Sequence, residues 1–178
     1  MSNVKKYLLT AVTLGCIAMA SGLLIAGTNM ITKDRIAENE RLSVNKGIVS
    51  VFNDDNAVGK EIALPDGKEY DYVITCYEVK DNNENPLGYA FRTTGSNDYG
   101  KVSLIIGFNQ QCIYKGLSVV VNEQSFATTL NKGYINLIKN GEKTVDDVSV
   151  SCGATFGATL VRNMVNEASQ AAKDIMGV

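Results

Sequence analysis

Lys101-Val102-Ser103-Leu104-Ile105-Ile106-Gly107-Phe108, followed by Asn109-Gln110-Gln111 and then the run 112–121, is the stretch that decides the fold. Both runs are rich in β-branched and aromatic residues, and the polar triplet between them is short enough to be a hairpin connection. Reading outward towards the N-terminus, 87–93 is a short third run, 81–86 a polar turn, and 70–80 an alternating segment rich in Tyr, Val and Ile. Connections this short join antiparallel neighbours. Outward on the other side the periodicity changes. Residues 125–138 place Phe126, Leu130, Tyr134, Leu137 and Ile138 near helical spacing, and Gly141 closes the segment. After 145–150 a second helix runs to the C-terminus. Leu160, Val161, Met164, Val165, Ala168, Ala172 and Ile175 form its apolar stripe, with Arg162, Asn163, Asn166 and Lys173 on the other side. The expected class is α+β, an antiparallel sheet with helices packed on it, preceded by one N-terminal transmembrane helix.

The composition removes several functions. The chain has 178 residues, enough for one domain and an anchor. With 45% hydrophobic and 20% charged residues it is not a disordered chain. Its formal net charge of -2 lacks the basic excess that nucleic acid demands. There is no His, so imidazole acid–base chemistry is excluded and no metal site is expected. Cys16, Cys76, Cys112 and Cys152 form no Cys-x-x-Cys pair, which argues against a zinc site, a redox dithiol or a disulfide framework.

Residues 7–27 carry no charged side chain. At 1.5 Å rise per residue that run spans ~31 Å, the thickness of a bilayer core. Lys5 and Lys6 precede it, which places residues 1–6 in the cytoplasm and the remainder outside, although Lys33 and Arg35 weaken the contrast. Two other readings stay open. Ala18-Met19-Ala20 resembles a signal-peptide cleavage site, and Cys16 after Leu14-Gly15 is a candidate lipid attachment point. The continued apolar run through Leu23, Leu24 and Ile25 favours an uncleaved anchor. Residues 31–52 read as a mostly polar helix with Ile36, Val44 and Ile48 on one face, and 53–60 as a turn-rich break. The expected division is thus an N-terminus (1–6), a span (7–27), a juxtamembrane helix and linker (28–60) and a folded domain (61–178).

The segment with chemical content is Ser151-Cys152-Gly153-Ala154-Thr155-Phe156, which reads as a strand-to-helix junction. Gly153 allows close backbone approach to a ligand. A helix beginning near Thr155 presents unpaired N–H groups and the positive end of its dipole, which suits a phosphate. The simpler reading is that Ser151 or Thr155 is an N-cap. A second Gly-Ala-Thr, at 157–159, falls one turn into the helix, away from the unpaired N–H groups, so Thr155 is favoured over Thr159.

This arrangement resembles the covalent-FMN domain of the G subunit of Rnf complexes and of the C subunit of sodium-pumping NADH:quinone reductases. That family carries Ser/Thr-Gly-Ala-Thr, then an apolar residue and a helix. Here Gly153-Ala154-Thr155 is followed by Phe156, Gly157, Ala158 and Leu160-Val161. The likeness extends to the single N-terminal span with Thr28-Asn29-Met30-Ile31-Thr32, to Leu87-Gly88-Tyr89-Ala90-Phe91, to Tyr99-Gly100 and to 102–107; the short chain suits the Rnf subunit. Two departures stand out. Cys152 replaces the Ser or Thr before Gly, which puts one hydroxyl contact in doubt. Where the family often has Glu-Thr-Pro-Gly-Leu-Gly, this chain has Glu123-Gln124-Ser125-Phe126-Ala127-Thr128 and keeps only the Glu.

The resemblance implies an electron-transfer subunit of a membrane-bound, ion-translocating ferredoxin:NAD oxidoreductase. Its FMN would be held by a phosphoester to Thr155, with Ser151, Cys152, Gly153, Ala154, Tyr99, Glu123, Gln124 and Ser125 as further cofactor-binding candidates and no catalytic residue of its own. It also implies maturation by a separate flavin transferase that uses FAD and magnesium, other redox subunits as partners, and a domain on the outer side of the cell membrane. The span lacks an Asp, Glu, Lys, Arg or His, so the ion path is expected in other subunits. The reading of a different class is a membrane-anchored structural or binding domain, or a lipoprotein, without cofactor.

Overall fold

The computed structural model describes residues 3–177; the side chains of residues 3 and 4 and of Ile31, Lys33, Asp34, Ile36 and Ala37 lie outside the described set. The expected place of Ile36 on the apolar face is therefore outside it too. Two compact units divide between Leu42 and Ser43.

Helix α1 (Asn3–Phe52) is a single helix of 50 residues. Its Lys5–Met30 portion has a mean hydropathy of 2.2 and is long and apolar enough to cross a membrane. The sequence suggests a span and a separate helix from 31; the structure joins them. Both prolines of the chain lie beyond residue 60, so nothing in 28–32 removes a helical N–H. The Thr28 and Thr32 hydroxyls donate to the carbonyls of Leu24 and Thr28, at 2.8 and 2.9 Å, and are absorbed by the helix itself.

The second unit is a five-stranded antiparallel meander of order β1-β2-β3-β4-β5. Its strands are β1 (Val58–Ile62), β2 (Val73–Lys80), β3 (Pro86–Asn97), β4 (Gly100–Asn109) and β5 (Tyr114–Asn122). Strand β1 begins inside the stretch expected to be a turn-rich break. It is an edge strand, mostly exposed, so no hydrophobic alternation marks it. Strand β3 runs on to Asn97, well past Thr93, because its Thr-Gly-Ser-Asn end pairs residue for residue with the start of β4, from Thr94↔Ser103 to Asn97↔Gly100. Asp98 and Tyr99 are the two residues at the hairpin tip.

Helices cover both faces. On one face Val44, Ile48, Val51 and Phe52, from the end of α1, pack with Ala57, Val79, Ala90 and Ile105. The approach is close: a Cβ at Gly107 would lie 2.3 Å from Val51 Cγ1. On the other face lie Phe91, Val102, Leu104, Ile106 and Phe108, under α4 (Thr155–Met176) and the shorter helical segment before it. With a helix on each side, β4 is buried from Val102 to Phe108. The shorter segment is α2 (Ala127–Leu130), a π-helical turn (Asn131–Ile135) and α3 (Asn136–Ile138). The wider π turn shifts the helical register. Ile135 joins Leu130, Tyr134 and Ile138 in the core, while Phe126 and Leu137, which the spacing groups with them, are exposed.

The stripe expected on α4 is buried, with Ile175 partly so. Arg162 does not face away. Its guanidinium donates to the carbonyls of Val145, at 2.7 and 3.2 Å, and Val148, at 2.9 Å. Tyr134 Oη adds a third bond to the Val145 carbonyl, at 3.3 Å. Those carbonyls are thus bound by side chains instead of a sheet partner, and 145–150 is a stapled loop, so the junction before α4 is loop-to-helix.

At the far end of α4, Asp174 accepts hydrogen bonds from Tyr70 Oη, at 2.8 Å, and Gln170 Nε2, at 3.1 Å, and pairs with Lys68 Nζ at 3.4 Å. The Tyr70 hydrogen bond, with that of Gln170 and the Lys68 charge, holds its carboxyl below the usual value. A carboxylate depressed in the folded state contributes stability above its ordinary pKa of about 3.9 and loses it as pH falls through the folded value. Tyr70→Phe is therefore expected to flatten the acid side of a Tm-against-pH curve below about pH 4, while the neutral plateau moves less; thermal melts from pH 2.5 to 7 check this.

Candidate functional site

The first turn of α4 meets the tip of the β3–β4 hairpin and the segment after β5. Between them lies an open cleft of about 260 Å³ lined by Tyr99, Gln124, Phe126, Gly153, Ala154, Thr155, Phe156 and Gly157.

The helix start is built from small residues. Gly153 has φ +81°, a conformation that costs a residue with a Cβ roughly 1–2 kcal/mol. Ala154 is the N-cap and has no side-chain acceptor, so the first N–H groups of α4 receive no side-chain cap, and there is no acidic residue in the first turn. Thr155 is the first helical residue, exposed, and not the cap. An uncapped, uncharged helix start favours an anion by about 0.3–1 kcal/mol from the dipole alone. Gly157 lies deeper. A Cβ there would sit 2.9 Å from Leu130 Cδ2 and 3.1 Å from Gln124 Oε1, so any larger residue would have to push these side chains aside.

The opposite wall is aromatic. The Tyr99 ring stacks on Phe156, with centroids 5.2 Å apart and planes 19° from parallel, and leans on Phe126 at 6.4 Å and 51°. All three rings are well exposed, at 37%, 66% and 54%. Gln124 is buried beneath them; its Nε2 donates to Asn97 Oδ1 at 3.0 Å and to the Gly100 carbonyl.

Of the residues singled out in the sequence, Thr155, Gly153, Ala154, Tyr99 and Gln124 come together around this cleft. Four lie beside it. Ser125 is exposed, its N–H and hydroxyl both bound to the Tyr99 carbonyl, at 2.8 and 3.2 Å. Glu123 is exposed, with its N–H on the Lys101 carbonyl. Ser151 is exposed and its N–H donates to Ser149 Oγ. Cys152 is half-buried and turns towards the core, where a Cβ at Gly133 would lie 3.0 Å from its own. Thr159 is exposed a turn further on and does not line the cleft. Phe126, Phe156 and Gly157 line it without having been chosen as site residues. Exposure of Phe126 was hidden because its spacing reads as helical core. Among the described residues no cluster of three His, Cys, Asp or Glu is arranged to hold a metal ion.

Gly157→Val is expected to destabilise the domain by about 1–3 kcal/mol through overpacking against Leu130 and to push Gln124 off its partners, as read by denaturant unfolding together with the Gln124 side-chain amide resonances.

Residues 1–50 match the family model for the RnfG N-terminal region. No curated protein matches the chain. From residue 3 on, the match lies in α1, outside the cleft. It is a likeness to the N-terminal region of RnfG over 50 of the 178 residues.

Proposed function

We propose that this chain is an RnfG-type redox subunit of a membrane complex and that it carries FMN in the cleft at the start of α4, joined through its phosphate to Thr155 Oγ1. The observation that carries this reading is exposed Thr155 as the first residue of an uncapped helix, beside three exposed aromatic residues. The residues fit such a group. Gly153, two residues before Thr155, leaves room beside a bulky substituent, the helix start attracts the single negative charge of a phosphodiester, and Tyr99, Phe126 and Phe156 offer flat apolar faces to a ring system.

Attachment by a flavin transferase balances as a substitution at phosphorus. Thr155 Oγ1 forms the new P–O bond with the FMN half of FAD, the pyrophosphate P–O bond breaks, AMP departs, and the threonine proton goes to base. When bound, the flavin supplies one- and two-electron redox chemistry. The chain's own part is positional: the ester fixes the phosphate, and the helix start stabilises its charge. The Arg162 staple on Val145 and Val148 holds the loop that delivers Gly153. In this reading electrons pass between other centres of a ferredoxin:NAD oxidoreductase coupled to ion movement, and the domain faces the outer side of the membrane. The Lys5 and Lys6 pair ahead of the span supports that orientation.

Co-expression with a flavin transferase followed by denaturing electrophoresis tests the reading. The wild-type band and a Thr159→Val band are expected to fluoresce as flavin, and a Thr155→Val band to be dark. A dark wild-type band, or a bright Thr155→Val band, overturns the site.

A further inference from the structure

The cleft has a clasp at its base. Asn97, the last residue of β3, uses both ends of its side-chain amide. Its Oδ1 accepts from the Tyr99 N–H at 2.9 Å and from Gln124 Nε2 at 3.0 Å, and its Nδ2 donates to the Phe156 carbonyl at 3.3 Å. One half-buried side chain thus ties together the hairpin tip, the segment after β5 and the first turn of α4. Those three segments carry the three aromatic rings, and the stacked pair, Tyr99 and Phe156, belongs to two residues whose backbones Asn97 holds directly.

We propose that Asn97 is a positioning residue that sets the Tyr99–Phe156 aromatic wall, and through it the orientation of the ring bound there; this rests on the FMN reading above. Gln124 is the other half of the clasp. It is buried, and its second donor contact, to the Gly100 carbonyl, pins the hairpin from the far side of its turn. The chemistry requires an amide at 97. Alanine removes all three contacts. Aspartate keeps an acceptor for the Tyr99 N–H and for Gln124 but has no donor for the Phe156 carbonyl. The two variants therefore separate the hairpin half of the clasp from the helix half.

The test has two arms on the full-length chain. In the first, protein made without a flavin transferase is labelled at tyrosine, and the Tyr99 ring signals are identified by their loss in Tyr99→Leu. Stacking on Phe156 shifts those signals upfield, and Phe156→Leu gives the unshifted position. Asn97→Ala is expected to bring the Tyr99 signals to that position, and Asn97→Asp to move them part of the way. In the second, flavinylated Asn97→Ala is expected to keep full FMN occupancy by intact mass but to show lower flavin fluorescence anisotropy than wild type. Tyr99 signals at the wild-type position in both variants overturn the proposal, as does unchanged anisotropy. Should Asn97→Ala fail to fold, Asn97→Asp decides alone. An unmodified wild-type chain in the second arm overturns the FMN reading and leaves the first arm to judge the clasp by itself.

Discussion

Helix α4 buries its stripe of small and medium apolar side chains against one face of the sheet, and the rest of the site depends on that contact. Ala158, Val161, Met164, Ala168, Ala171 and Ala172 have no exposed surface, and Val165 and Leu160 almost none. Each larger member contributes about 1.5–3 kcal/mol of burial, and the alanines let the helix approach closely. Gly95 opposite shows how tight the contact is, since a Cβ there would lie 2.8 Å from Leu160 Cδ1. Because the helix is held along its length, its first turn is delivered to one place, beside the β3–β4 tip, and Thr155 is delivered with it.

The sheet is fixed from behind as well. The end of α1 packs on the opposite face, so β4 is enclosed on both sides and its partner strands have little freedom. The long β3–β4 ladder then carries its tip out to Tyr99 as a stiff element. Two rigid pieces, a helix start and a hairpin tip, meet at a cleft. That is the kind of support a cofactor site needs if its geometry is to be set before the cofactor arrives.

Much of this was legible in the residues. The central strands announced themselves through β-branched runs and polar turns, and α4 through a stripe that survives intact in the structure. What escaped did so for physical reasons. Strand β1 is a mostly exposed edge with no alternation to read, and Thr94 to Asn97 looks like turn chemistry until it is paired with β4. The π turn at 131–135 exchanges Leu137 for Ile135 in the core, a local change of pitch that spacing alone does not reveal. Arg162 reads as a solvent-facing charge, yet its partners are carbonyls 14 and 17 residues away. For the cleft, Gly153, Ala154 and Thr155 stood out as a motif. Asn97 and Phe126 did not, since their roles arise only when distant segments meet.

The central claim is chemical: a hydroxyl on the first residue of an uncapped helix serves as a permanent tether for a flavin phosphate. Its most direct test is fragmentation mass spectrometry of the tryptic peptide from Thr144 to Arg162, taken from chain matured with a flavin transferase. That peptide contains Thr144, Thr155 and Thr159 and so distinguishes the candidate hydroxyls. The account predicts an FMN-sized increment localised to Thr155. An unmodified peptide, or an increment on either of the other threonines, would contradict it.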